Sequence, residues 1–352
     1  MSGLRPILES SRRLVVKLGS SLVAPPSGRG ASLPGLARDL AALDAEATLV
    51  SSGAVALGRG RTGRSASDLP ARQALSAIGQ PRLMRLWQDA FAETGREVAQ
   101  ILLTPDVTED RARYLNARAA LRAVHAMGAI PIVNENDAVA TEELRSGDND
   151  RLAAQTAGLI GADTLVLLSD VDGLYDRDPS EAGAAHVPFV SRESLGGYDT
   201  ARMVSRSGVG TGGMGSKVRA AALASGWGVR VVIASGRSDS PIGDLLRGDA
   251  RCTVFEARDE RAPARRRWLS SRAHMAGRVH VDAGAAAALR RGASLLAVGV
   301  RDATGGFEAG DLLRIEGPDG PVAFGLASCS EETVRSGEAK IVVHRDDLVL
   351  EG

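Results

Sequence analysis

Leu14-Val15-Val16-Lys17-Leu18-Gly19-Ser20-Ser21 reads as a short buried strand that stops in a loop of small residues. Apolar runs of the same kind recur at 47–50, 98–103, 129–133, 164–168 and 229–234. Helical patterns lie near 36–46, 71–94, 114–127, 150–161 and 216–226. Strands that are apolar on both faces and alternate with helices predict an α/β domain, a mostly parallel sheet sandwiched by helices. Ligands of such sheets bind outside the carboxyl ends of the strands. The loops there are Ser51-Ser52-Gly53-Ala54, Asn134-Glu135-Asn136-Asp137 and Ser169-Asp170, which are expected to converge on one crevice.

Outward from this core the pattern changes. Near 256–272 the chain becomes charged, with Ala264-Arg265-Arg266-Arg267-Trp268 reading as a solvated connection. From Gly277 short alternating segments and the turns Gly305-Gly306 and Gly317-Pro318-Asp319-Gly320 predict a small β-rich domain with one helix near 283–291. The expected division is 1–256, a linker over 257–276, and 277–352; a length of 352 residues suits two domains at about 150 residues each.

Composition excludes several classes of function. Lys and Arg together number 43, as do Asp and Glu, so no net charge draws the chain to nucleic acid or an anionic membrane. Cys252 and Cys329 are far apart and form no metal or disulfide pattern; both are expected to be core thiols. The five histidines are scattered, and no Ser lies in a Gly-x-Ser-x-Gly elbow. Apolar runs fall far short of the ~20 residues of a membrane span, and no leader pattern opens the chain, so a soluble, cytoplasmic protein is expected.

Only three lysines occur, Lys17, Lys217 and Lys340, in a chain that uses Arg elsewhere. Lys217 closes Gly208-Val209-Gly210-Thr211-Gly212-Gly213-Met214-Gly215-Ser216-Lys217, whose glycines let backbone N–H groups approach a phosphate at the start of a helix. The order Gly215-Ser216-Lys217 is not that of a Walker loop. Lys17, at the end of the first strand, could neutralise a transferring phosphoryl group. Asn134-Glu135-Asn136-Asp137 and Gly147-Asp148-Asn149-Asp150 are dense in groups that hold an ammonium or a carboxylate, although Asp148-Asn149-Asp150 could equally be a helix cap. Ser169-Asp170-Val171-Asp172-Gly173-Leu174-Tyr175 places two polar side chains and a turn after a buried strand.

Together with Val15-Val16-Lys17-Leu18-Gly19-Ser20 and Ser51-Ser52-Gly53-Ala54, these motifs, in this order, closely resemble the amino acid kinase family, in particular its members that phosphorylate glutamate. Val281-Asp282, Gly284-Ala285, Gly292-Ala293-Ser294-Leu295-Leu296, Gly306-Phe307, Gly310-Asp311 and Val343-His344-Arg345-Asp346-Asp347 resemble a PUA domain. The resemblance implies phosphorylation of the L-glutamate γ-carboxylate by ATP with Mg2+, the first step toward proline. It implies that Lys17 and Lys217 stabilise the transferring phosphoryl group and that Asp150 holds both lysines. Ser52, Asp137 and Asn149 would bind glutamate, and Ser169, Asp170, Thr211, Gly212, Gly213, Met214, Gly215, Ser216 and Lys217 would line the ATP site, with no metal ligand identified. Feedback inhibition by proline, a glutamyl phosphate reductase as the next enzyme, and a homo-oligomeric state are further expectations. Arg72 replaces a lysine common in relatives, and 58–66 departs from the better-known members.

Two other readings remain open. Aspartokinase and uridylate kinase share the glycine loop and the Asp-Val-Asp-Gly turn. RNA binding through the PUA-like domain is the rival of another class; residues 277–352 carry eight Lys or Arg against twelve Asp or Glu, a net charge of −4 that suits a phosphate backbone poorly.

Overall fold

The structure is a computed structural model. It describes residues 8–25, 30–104, 107, 110–139, 149–195, 197–198, 213–258 and 275–350. Within the chain two compact units form, one from residues up to Arg261 and one mainly from Ala262 onward.

The first unit contains strands β1 (Arg13–Leu18), β2 (Glu46–Ser51), β3 (Val98–Leu103), β4 (Ile130–Glu135), β5 (Thr164–Ser169), β6 (Leu174–Tyr175), β7 (His186–Val187), β8 (Phe189–Val190), β9 (Arg230–Ser235) and β10 (Cys252–Phe255). Eight of them form one sheet in the order β3-β4-β2-β1-β5-β9-β10-β8. It is parallel throughout except where β10 runs antiparallel to β9. The expected α/β architecture is therefore present, and the antiparallel β10 and the edge strand β8 are additions the periodicity did not reveal. Strands β4, β2, β1 and β5 are buried almost from end to end, as a sheet covered on both faces requires. Leu14, Val16, Leu49, Ile132, Val166 and Val232 join Leu36, Leu83, Trp87 and Phe91 from the helices in one core.

Several helices differ from their expected bounds for local reasons. The helix expected near 36–46 spans Leu33–Ala42, because the Ser32 side chain accepts from the Gly35 N–H and a proline occupies the first turn. A helix over Ala54–Thr62 was not read from the sequence; Gly53, at φ 117°, turns the chain out of β2 into it. The long helix Leu69–Phe91 starts where the Asp68 side chain accepts from the Ala71 N–H. It packs backbone to backbone on the preceding helix: a Cβ on Gly79 would stand 1.8 Å from the Ala54 carbonyl oxygen, and one on Gly58 would stand 2.0 Å from that of Leu75.

The second unit holds β11 (Gly277–Val281), β12 (Leu295–Leu296), β13 (Val300–Thr304), β14 (Leu312–Gly317), β15 (Gly320–Ala327) and β16 (Ile341–Leu350). They form a six-stranded sheet in the order β12-β16-β15-β14-β11-β13. The expected helix near 283–291 spans Ala283–Arg290, and a second, Glu331–Arg335, joins it as a correction to the single helix expected; Ser330 caps it. Most of the 257–276 linker lies outside the described residues. Cys252 and Cys329 are only half-buried, so neither is the core thiol expected. No described helix is long and apolar enough to cross a membrane.

Candidate active site

Lys17 lies near the carboxyl end of β1, and Lys217 lies in the first turns of the helix Met214–Ser225. Both are buried, at 4% and 5% exposure, which is costly for an ammonium unless it is paired. The pair is Asp150, wholly buried at the start of the helix Asn149–Ile160. Its Oδ1 lies 2.5 Å from Lys17 Nζ and its Oδ2 lies 3.1 Å from Lys217 Nζ. The Ser216 hydroxyl also donates to Oδ2, at 3.0 Å. Burial alone would raise the Asp150 carboxyl, but the two ammonium charges and their hydrogen bonds overcome it and hold the pKa down to about 2. One carboxylate is thus shared by two ammonium groups in a place shielded from water.

Beside this triad lies a chain of carboxamides. Asn149 Nδ2 donates to Ser52 Oγ at 2.7 Å and to Asn134 Oδ1 at 3.1 Å. Asn134 Nδ2 in turn donates to Gln80 Oε1 at 2.9 Å. Asn149 and Asp150 are thus not merely a cap: their side chains reach other elements. Asp137 accepts from the Ser76 hydroxyl at 2.9 Å and pairs with Arg72 at 3.4 Å. Arg72, Ser76 and Gln80 recur every four residues along Leu69–Phe91 and so share one helix face.

Ser169 ends β5 and donates to Asp170 Oδ1 at 3.1 Å. Because β5 lies between β1 and β9, this pair sits at the same end of the sheet as Lys17. Gly213, the residue before the helix, has no side chain with which to cap its first turn. Thr211 and Gly212 lie outside the described residues. Among the described residues, the structure therefore brings Lys17, Asp150 and Lys217 together, and Ser52 with Asn149. It holds Asp137 through Ser76 and Arg72. Ser76, Gln80 and Asn134 carry contacts that the sequence reading did not assign; the polar spacing of four on an otherwise buried helix face was the signal that could have found the first two.

Residues 12–235 match the model of the amino acid kinase family, and 277–347 match that of the PUA domain. The chain belongs to the amino acid kinase family. It is 44% identical, over 96% of each chain, to a protein of Novosphingobium aromaticivorans named glutamate 5-kinase. It is 45% identical to one of that name from Caulobacter vibrioides, over 92% of this chain and 89% of the relative. Among solved structures, an isopentenyl phosphate kinase in its substrate complex superposes with a TM-score of 0.50 at 19% identity, covering 70% of this chain and all of the other, which supports the fold alone.

Proposed function

We propose that the chain transfers the γ-phosphoryl group of ATP to the γ-carboxylate of L-glutamate, forming γ-glutamyl phosphate and ADP, and so opens the route from glutamate toward proline. The observation that carries this reading is the buried Lys17-Asp150-Lys217 triad set beside Ser52 and Asn149. The glutamate 5-kinase relatives, similar over nearly the full length, supply the acceptor.

A carboxylate is already nucleophilic at neutral pH, so no general base is needed; alignment and charge stabilisation can supply the catalysis. One γ-carboxylate oxygen forms the new bond to phosphorus while the bond to the bridging oxygen breaks and ADP leaves with the charge. Lys17 and Lys217 face the negative charge that spreads over the transferring group, and Asp150 keeps both ammonium groups at fixed positions. Ser52, Asn149 and Asp137 hold glutamate, while Ser169, Asp170 and the segment 211–217 line the nucleotide. Mg2+, entering with ATP, would neutralise part of the charge on the phosphates. Among the described residues no three His, Cys, Asp or Glu side chains cluster so as to hold a metal. Proline, which like glutamate carries an ammonium beside an α-carboxylate, competes for part of the glutamate site. The acyl phosphate is labile in water, so a reductase of glutamyl phosphate must consume it promptly.

The test is hydroxylamine trapping of the acyl phosphate, with ADP release measured in parallel, using ATP and a panel of acceptors. Hydroxamate formation from L-glutamate, with little from aspartate and no turnover of UMP, is expected. Turnover of aspartate or UMP without glutamate would overturn the assignment.

A further inference from the structure

We propose that Gln80 is a positioning residue that sets which atom of Asn149 faces the amino-acid substrate, an inference that rests on the function proposed above. An amide side chain has two donor hydrogens on nitrogen and an acceptor oxygen, and it can turn end for end with little change in shape. Asn149 spends both hydrogens inside the protein, on Ser52 and Asn134, so its Oδ1 is the end left over. That oxygen is buried and meets no partner among the described residues. A buried acceptor left open in this way suits a ligand's ammonium.

The orientation of Asn149 depends on Asn134 presenting its oxygen. Asn134 does so because its nitrogen is engaged by Gln80 Oε1 at 2.9 Å. Turning Asn134 end for end would set its nitrogen against that of Asn149, donor against donor. Gln80, only 8% exposed, has its backbone held in place, because the adjacent Gly79 packs directly on the backbone at Ala54. The relay therefore runs from a rigid helix through two amides to the atom that meets substrate. Gln80 Oε1 is the end of its amide that accepts from Asn134, while Nε2 is buried and meets no partner among the described residues.

Steady-state kinetics on Gln80→Met, Asn134→Ala and Asn149→Ala, alone and in pairs, test the relay. Gln80→Met keeps the bulk and removes the amide; the KM for glutamate should rise about tenfold, as loss of one oriented hydrogen bond allows. The KM for ATP and kcat should stay within about twofold. Asn134→Ala should follow the same pattern. In the Asn149→Ala background neither substitution should raise the glutamate KM further, because the group they orient is gone. Gln80→Glu retains an oxygen for Asn134 and should recover most of the lost affinity. Should one of Gln80→Met and Asn134→Ala fail to fold, the other carries the test. An unchanged glutamate KM, an equal rise in the ATP KM, or effects that add fully to Asn149→Ala would each overturn the relay. These ratios compare variants of an active enzyme, whereas the reaction itself is judged by wild-type hydroxamate formation.

Discussion

At the residue scale the site is governed by charge balance in a dry place. Asp150→Asn removes the buried carboxylate that both ammonium groups share, and about 3–5 kcal/mol of stability should be lost at neutral pH. The same residue carries an acid signature. Its folded pKa of about 2 lies below its ordinary 3.8, so its contribution is complete above about pH 4 and is lost as pH falls through about 2, a difference of roughly 2 kcal/mol. Urea unfolding across that window should show stability rising with pH in the wild type and a flatter profile in Asp150→Asn; an equal slope in both would assign the effect to another carboxyl. Lys217→Arg keeps the charge but replaces a compact ammonium with a wider fork. A fall in kcat of about a hundredfold is expected, with little change in melting temperature. Asp137→Ala removes the carboxylate that Ser76 and Arg72 hold in place. Rates measured against glutamate and proline should show both apparent affinities weakened while that for ATP is kept; a selective rise in the ATP KM would refute the division of the crevice.

At the scale of elements the decisive piece is the pair of helices Ala54–Thr62 and Leu69–Phe91. Their contact at Gly58 and Gly79 is close enough that no side chain fits. This contact sets how Arg72, Ser76 and Gln80 face Asp137 and Asn134. Gly79→Ala pushes a methyl group into the Ala54 carbonyl, and since backbone cannot rotate away as a side chain can, a loss of about 2–3 kcal/mol is expected in denaturant unfolding. The KM for glutamate should rise with it, because the displaced helix carries the relay. A variant as stable as the wild type would mean that the two helices separate at little cost.

For the whole molecule, the two units have separate cores. One cluster is centred on Leu14, Leu49, Trp87 and Val166, and the other on Val279, Leu313, Ile315, Ala323 and Val343. Each unit should bury enough apolar surface to fold by itself. All proposed site residues precede Glu256, so deletion of 277–352 should leave a folded kinase with kcat within about threefold of the full chain. Circular dichroism and the hydroxamate assay on the truncated chain are the measurements. A truncated chain that is folded yet inactive would mean that the second unit contributes to catalysis.

Local sequence was sufficient for the central parallel strands and for singling out Lys17 and Lys217, whereas Asp150 as their holder came with the family resemblance. Runs of apolar residues such as 164–168, short and bounded by polar loops, read as strands buried on both faces, and scarce lysines in an Arg-rich chain stood out by their chemistry. The resemblance to glutamate-phosphorylating kinases lay in short motifs, each placed at a strand end or helix start. What the sequence could not disclose is how polar side chains far apart in the chain face one another. The spacing of Arg72, Ser76 and Gln80 marks a polar helix face, but it does not name Asn134, 54 residues away, as the partner of Gln80. The antiparallel β10 likewise escaped, since Cys252–Phe255 is too short for its periodicity to state a direction. Amide orientation and strand direction depend on which neighbour supplies the opposite donor or acceptor, and only the folded chain brings that neighbour within reach.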